Sequence, residues 1–507
     1  MSLSLVYTRA NLGIDAPLVT IEVHLSNGLP AFQLVGLPET TVKESRDRVR
    51  SAMINAGFEF PAKRITVNMA PADLPKGGGQ FDLAIAVGII CAHEGIGAGC
   101  LEKYEFVGEL ALSGELRSIQ GALPMAFAAA ECKRELILPE TNASEAAIVS
   151  KAKVLSAKSL WEVYLHLTDK KTLEQAYVST SIDNIADSSR TYGDLDDIIH
   201  QQHAKRALAI AAVGSHNILM FGPAGTGKSM LANRLLSILP DLSEQEALTV
   251  ASIQSVVGQQ INPHNWRKRP FRQPHHSSSA AALVGGGSYP MPGEITLAHK
   301  GVLFLDELPE FGRHTLDVLR EPIETGEINL SRARHKTSYP CQFQLVAAMN
   351  PSPTGDVNDN RCNADQILRY LNKISGPLLD RIDLQVQVPK IDISKALNKQ
   401  QTCTLSSNQV KAIVIQAQQT QLNRQGKLNA TLNNKELDEV AQLSKANRQF
   451  ITSAIDKLGL SMRAYHRTLK VARSIADMES EEVISKVHLS EALSYRGFDK
   501  LLRQLTQ

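Results

Sequence analysis

Gly222-Pro223-Ala224-Gly225-Thr226-Gly227-Lys228-Ser229 is the stretch on which the reading of this chain turns. It has the G-x-x-x-x-G-K-S spacing of a P-loop, whose glycines let backbone N–H groups curl around phosphate oxygens. The apolar run Asn217-Ile218-Leu219-Met220-Phe221 before it is expected to be a buried strand. Met230 to Leu236 after it has the pattern of a helix, whose N-terminus adds partial positive charge. In that setting Lys228 reaches the β- and γ-phosphates and the Ser229 hydroxyl ligates Mg²⁺. The expectation is a domain that binds a nucleoside triphosphate, ATP with Mg²⁺.

Bulk properties set the frame. A chain of 507 residues is too long for one core, so about two to four domains are expected. With 43% hydrophobic and 21% charged residues it has the composition of an ordinary globular protein. The 54 basic and 52 acidic side chains nearly cancel, so any nucleic-acid surface must be local. The six cysteines show no C-x-x-C spacing, which points to free thiols in a reducing compartment. The first residues alternate as a strand does, without a signal-peptide pattern. No apolar run approaches the roughly 20 residues of a membrane span. A cytoplasmic location is expected.

Residues 1–167 mix strand patterns (Leu3–Tyr7, Leu18–Val23, Arg64–Asn68) with helix patterns (Thr41–Ala56, Asp82–Cys91, Leu123–Ala130). Residues 168–193 are assigned to a linker because Ser, Thr, Asp and Asn crowd Ser179–Arg190. Residues 194–390 alternate strands and helices, as a parallel-sheet nucleotide-binding domain does. Residues 391–507 are expected to be helical, with 3.6-residue spacing over Asn433–Leu443, Ala446–Leu458 and Ala464–Met478.

The second anchor is Gly301-Val302-Leu303-Phe304-Leu305-Asp306-Glu307. A strand ending in Asp-Glu delivers carboxylates to the sheet edge where a P-loop opens. Asp306 is expected to hold Mg²⁺, and Glu307 to polarise the attacking water. The alternative is a buried strand with an ordinary acidic exit. Gln344–Met349 is a further buried strand ending in Asn350, which either senses the γ-phosphate or caps the Asn-Pro-Ser-Pro turn. Arg381, in Leu-Leu-Asp-Arg-Ile-Asp, is either a finger onto a neighbouring subunit's ATP or a surface ion pair with Asp380 or Asp383. Arg463 opens the last long helix, where a cation is disfavoured by the helix dipole. It is read as swinging over the nucleotide with a helical lid, against a plain solvated charge.

Two basic stretches suggest a load. Trp266 to Ser279 is the densest, with Arg267, Lys268, Arg269 and Arg272 interleaved with aromatics. Its His275-His276 pair lacks a third ligand at matching spacing, so a metal site is disfavoured. Gly326 to Pro340 reads as a hairpin exposing Arg332, Arg334, His335 and Lys336. Such tips suit phosphates of a DNA strand, the alternative being a solvated charged loop.

Taken with the helical lid, this order of motifs resembles the AAA+ ATPases, which usually form rings, most often hexamers. The stretches Arg269–Ser279, Pro292–Phe311, Ile374–Asp383 and Arg463–Arg467 resemble the magnesium-chelatase branch, and within it the ComM/YifB group. That resemblance covers essentially the whole chain. It implies a hexameric bacterial DNA helicase that drives branch migration, integrating single-stranded DNA in natural transformation, with other recombination proteins as possible partners. Many relatives carry a cysteine-rich insert after the sensor asparagine. Only Cys362 is near here, so no zinc site is expected.

Pro71–Ala86 and Val107–Gly121 resemble the Lon-protease-type fold. The places of that fold's serine and lysine look like Gln80 and Leu123, so Ser-Lys catalysis is not expected. The domain is read as a scaffold or DNA platform, with Lys63, Arg64 and Lys76 as candidate basic contacts or simply solvated charges. The competing functions are a magnesium-chelatase motor subunit and an ATP-switched DNA- or protein-binding ring without helicase activity.

Overall fold

Alternating burial builds the N-terminal half. In the computed structural model, which describes residues 3–36, 40–72, 74, 76, 78–177, 193–262, 266–287, 290–331, 336–356, 361–390 and 405–506, Val19, Ile21, Val23 and Leu25 all face one core. They lie on β2 (Leu18–Ser26), which pairs antiparallel with β1 (Leu3–Arg9) and β4 (Arg64–Ala70). With β3 (Ala31–Val35), β5 (Tyr104–Phe106), β8 (Glu135–Pro139), β9 (Val154–Ala157) and β10 (Glu174–Gln175) they form an eight-stranded sheet, order β10-β9-β8-β5-β1-β2-β4-β3. The short β6 (Glu109–Leu110) and β7 (Leu116–Arg117) pair beside it. The helix Asp82–Glu94 is buried from Asp82 to Ala92, because it lies across this sheet with little solvent on any side.

β10 pairs with β9 although it falls in the segment assigned to a linker, so this unit runs on at least to Gln175. The Ser-, Thr- and Asp-rich part of that segment, 178–192, lies outside the described residues.

The central half is a parallel sheet. Its strands are β11 (Ile218–Phe221), β12 (Phe271–Arg272), β15 (Val302–Leu305), β18 (Gln344–Met349) and β19 (Leu384–Gln387), in the order β12-β15-β18-β11-β19. β11, β15 and β18 are buried at every position, as strands covered on both faces must be. The chain leaves β11, builds outward strands, and returns to flank β11 on both sides, which places a ligand crevice at the carboxyl edge. Two small ribbons decorate this sheet, β13 (Gly285–Gly286) with β14 (Met291–Pro292) and β16 (Glu327–Ser331) with β17 (Lys336–Pro340).

The C-terminal segment is helical, with Ser407–Gln425, Asn434–Ala441, Lys445–Leu458, Met462–Met478, Lys486–Ser494 and Gly497–Thr506. The apolar faces of the first five share one core with the P-loop helix and β19, and Phe498 of the last packs into the core on the other face of the sheet. Arg496 bridges to Gln385 of β19. The N-terminal half docks on the central one through the helix Ala122–Glu131, whose Leu123, Met125 and Ala126 join Ala251, Leu248 and Trp266. Gly121 N–H donates to Ser255 O at 3.1 Å across that seam.

Candidate active site

The P-loop emerges where β11 ends. Phe221 sits opposite Met349 of β18 and Gln387 of β19, so the following Gly222 and Asn350 leave the sheet side by side. A Cβ on Gly222 would lie 2.0 Å from Val388 O, so no larger residue fits there. Gly225 and Gly227 adopt φ of 76° and 86°, in the left-handed region that glycine enters without penalty.

Lys228 is 8% exposed, and its Nζ donates to Gly222 O at 2.7 Å, Pro223 O at 2.8 Å and Asn350 Oδ1 at 3.2 Å. Burial lowers its pKa from the ordinary lysine value, opposed by the carboxylate of Asp306. Ser229 Oγ donates to Asp306 Oδ2 at 2.8 Å. Thr226 Oγ1 turns back onto Pro223 O at 3.0 Å.

This donor set fits a nucleotide and its metal. The helix Lys228–Ile238 starts at Gly227 with no side-chain cap, leaving its first-turn N–H groups free for an anion. A hydroxyl and a carboxylate in contact are the oxygen ligands that Mg²⁺ prefers, and bound Mg²⁺ would neutralise charge on the phosphates. Among the described residues no cluster of three or more His, Cys, Asp or Glu side chains could hold a metal.

Glu307 stands at φ 52°, ψ 48°, a conformation uncommon for a non-glycine residue. Its N–H donates to Asp306 Oδ1 at 3.0 Å, and its carboxylate meets His276 Nδ1 at 3.2 Å. His276 as a partner of Glu307 was not foreseen, because the register of β12 beside β15 that aligns the two is set by tertiary packing.

Arg381 is not in the ion pair with Asp380 or Asp383 that the sequence offered. Its side chain is 13% exposed and pairs with Glu324 at 2.6 Å, with Nη1 on Pro377 O. Neither Asp380 nor Asp383 holds it. Asp380 meets Arg463, whose side chain is 70% exposed, at 3.2 Å. Asp383 is fully buried against Arg467, one helical turn beyond Arg463, and His216. Burial pushes the Asp383 carboxyl up, but the Arg467 charge and the His216 bond together outweigh it and hold it well below the usual carboxylate range. Through His216 Nε2 the chain of bonds reaches Ser474 Oγ of the same helix at 2.7 Å. Arg467 was missed although it lies in the quoted Arg463–Arg467 stretch; its i, i+4 spacing from Arg463 was the available signal.

The basic segment needs correction. Arg269 is a brace: its Nε donates to Pro240 O at 2.6 Å and its Nη1 to Lys300 O at 2.7 Å, tying two separate segments together. Arg272 forks onto Glu294 at 2.7 and 2.8 Å. Arg267 remains exposed, with its guanidinium over the Trp266 ring at 5.1 Å, and Lys268 is half-buried. Arg332, Arg334 and His335 lie outside the described residues, and of Lys336 only the backbone, in β17, is described. In the N-terminal half Lys63 and Arg64 are exposed, but Lys76 is fully buried and donates to Gly36 O at 3.0 Å and to Pro71 O. It is neither a DNA contact nor a solvated charge. Gln80 donates to Arg9 O at 3.0 Å and accepts from Asn11 at 3.0 Å, and Leu123 is buried in the seam between the halves.

No helix among the described residues is long and apolar enough to cross a membrane. Three family models match: magnesium chelatase, subunit ChlI, over residues 194–396; subunit ChlI of Mg-chelatase over 21–142; and the ChlI C-terminal model over 404–496. The chain is 53% identical to the competence protein ComM of Haemophilus influenzae, with all of both chains covered. It is 51% identical to the uncharacterized protein YifB of Escherichia coli, covering all of this chain and 99% of that one. A magnesium-chelatase 38 kDa subunit of Rhodobacter capsulatus is 27% identical over 38% of this chain and 54% of its own. On its architecture and on these full-length matches, the chain belongs to the ComM/YifB family of magnesium-chelatase-type AAA+ proteins.

Proposed function

We propose that this chain is an ATP-driven ring motor, a hexamer in the cytoplasm, that moves branched DNA and so promotes integration of single-stranded DNA during natural transformation. The observation that carries the reading is the Ser229–Asp306 contact beside Lys228 and Glu307, found in a chain 53% identical along its full length to a competence protein. Lys228 and the open helix N-terminus bind the phosphates. Ser229 and Asp306 hold Mg²⁺. Glu307 takes the proton of the attacking water, and Asn350 holds the γ-phosphate end of the site through a neutral amide. Arg463 on the lid, steered by the Arg467–Asp383 pair, closes over the nucleotide, and Arg381 completes a neighbour's site after leaving Glu324.

The N-terminal unit, extended to Gln175 by β10, is proposed to form a Lon-protease-type domain that serves as scaffold. Its Gln80 amide and Leu123 side chain supply neither nucleophile nor base. DNA contact is assigned to Arg267 and Lys268 and to the hairpin residues Arg332, Arg334, His335 and Lys336, with other recombination proteins as further partners. A chelatase motor subunit is the less favoured reading, because the match to the 38 kDa subunit covers 38% of this chain.

The test is ATP hydrolysis with single-stranded, duplex and three-stranded DNA, alongside a three-stranded branch-migration assay. Wild-type protein is expected to hydrolyse faster with DNA and to move the branch. Glu307→Gln is expected to bind ATP and do neither. Hydrolysis indifferent to every DNA, or an unmoved branch, would contradict the proposal.

A further inference from the structure

The turn between β1 and β2 is tight. Leu12 N–H donates to Asp15 O and Asp15 N–H to Leu12 O, both at 3.0 Å, which leaves Gly13 and Ile14 at the tip. The base of the turn belongs to the N-terminal half, where Asn11 Nδ2 donates to Gln80 Oε1 at 3.0 Å and to Gln120 O at 3.1 Å. The tip reaches across to the central half. Gly13, at φ 63°, lies so close to β17 that a Cβ on it would fall 2.5 Å from Thr337 Cγ2 and 3.6 Å from Tyr339 Cε1. Ile14 packs against the core that holds Ile328, Leu330 and Tyr339.

β16 and β17 make a ribbon of only two strands, which is marginal in water unless one face is covered. Ile328 pairs with Tyr339 and Leu330 with Thr337, so these four side chains share a face. All four are buried, whereas Glu327, Asn329 and Ser338 on the opposite face are exposed. Two separate segments meet the buried face. Pro290 O, just ahead of β14, accepts from Tyr339 Oη at 2.8 Å. Gly13 of the N-terminal half lies against Thr337 and the Tyr339 ring.

The ribbon joins the helix Arg320–Thr325 to β18, the strand that ends beside the P-loop at Asn350. Its root is closed by Cys341 N–H on Gly326 O at 2.8 Å. A load on the turn end of the ribbon reaches β18 undiminished only if the ribbon does not bend above that root. The turn from the N-terminal half meets the ribbon where such bending would occur.

We propose that Gly13 and Ile14 are positioning residues, a seat through which the N-terminal half stiffens the β16–β17 ribbon so that a polynucleotide on the ribbon is felt at the ATPase site. This rests on the reading of the ribbon as a DNA contact made above. It gives the N-terminal half a part in coupling that needs no DNA contact of its own.

The experiment measures steady-state ATP hydrolysis by the full-length protein, with and without an oligo-dT strand. It compares wild type, Gly13→Ala, Gly13→Ala combined with Thr337→Ala, and Ile14→Ala. Gly13→Ala is expected to leave the DNA-free kcat and the KM for ATP unchanged and to lower the DNA-stimulated kcat about tenfold, the size of an ordinary coupling between sites. Thr337→Ala removes the methyl that the new Cβ would meet, and among the described residues Thr337 Oγ1 has no hydrogen-bond partner to lose. Adding it is expected to restore most of the stimulation, an outcome that general loss of structure would not produce. Ile14→Ala introduces no backbone strain and is expected to lower stimulation in the same direction. If Gly13→Ala is stimulated like wild type, the seat is refuted and the ribbon's DNA contact stands. If Gly13→Ala and Ile14→Ala both lose DNA-free and stimulated hydrolysis alike, the turn only holds the fold together and the proposal is refuted. If wild type itself is not stimulated, the DNA reading fails and the seat falls with it.

Discussion

Lys76 and Lys228 are two lysines beside glycines, Lys76 ahead of a helix and Lys228 opening one, and each donates to two backbone carbonyls. Around Lys76 the site is closed. The lysine is fully buried, and the helix that follows, Asp82–Glu94, also lacks a side-chain cap but spends its Leu83 N–H on Gly108 O at 3.0 Å. Around Lys228 the site is open. Its helix has no side-chain cap, and Asn350 and the Ser229–Asp306 pair gather on the same sheet edge. A lysine beside glycines thus becomes a phosphate site only where the next helix keeps its N–H groups unspent. The first lysine holds a fold together. The second is held ready.

Removing each lysine should separate the two roles. Lys228→Ala is expected to lower ATP hydrolysis about a hundred- to a thousandfold, the usual cost of one donor to the transition state. Nucleotide titration should show the lost binding. Lys76→Ala is expected to leave KM for ATP unchanged and to destabilise the N-terminal half by about 1–3 kcal/mol, because buried carbonyls lose their donor. Thermal unfolding reads this directly. The comparison breaks if Lys76→Ala impairs nucleotide binding in protein that still melts like wild type.

Asp383 sharpens the contrast by placing a sealed charge inside the motor half. Its folded pKa is depressed, so it contributes stability above the unfolded aspartate value of about 3.9 and loses it as pH falls through and below that value. Asp383→Asn should therefore melt lower at neutral pH and show a flatter dependence of Tm on pH below about 5. A wild-type acid limb in the variant would mean that the Arg467–Asp383 anchor is not what acid breaks.

The smallest effect is expected on the basic surface. Arg267→Ala with Lys268→Ala should weaken DNA binding and reduce the salt slope by about one for each lost phosphate contact. Arg269→Ala should instead lower Tm, since its guanidinium braces two carbonyls. The reverse pattern would restore Arg269 as a DNA contact.

What was legible in the sequence follows from how local the constraint is. Phosphate dictates the spacing from Gly222 to Ser229, and a buried strand ending in Asp306-Glu307 must deliver both carboxylates to one edge. Both can be read from neighbours along the chain. The fates of Arg269, Arg272 and Lys76 could not, because their partners Lys300, Glu294 and Gly36 lie far along the chain and only tertiary packing brings them close. The same holds for Glu324 on Arg381 and for Arg467 on Asp383. Charge in a sequence says that a partner is needed, not whether that partner is a nucleic acid or the protein itself. The N-terminal strands were visible from alternation in Leu18–Val23 and Arg64–Asn68. β10 was not, since a two-residue edge strand carries no period.

The central claim is that the open lysine site drives movement along DNA. The most direct measurement is three-stranded branch migration by the full-length protein with ATP and Mg²⁺, comparing wild type with Lys228→Ala. Branch movement that needs ATP and disappears in Lys228→Ala is the predicted result. A wild-type protein that hydrolyses ATP but leaves the branch in place, or a Lys228→Ala protein that still moves it, would contradict the account.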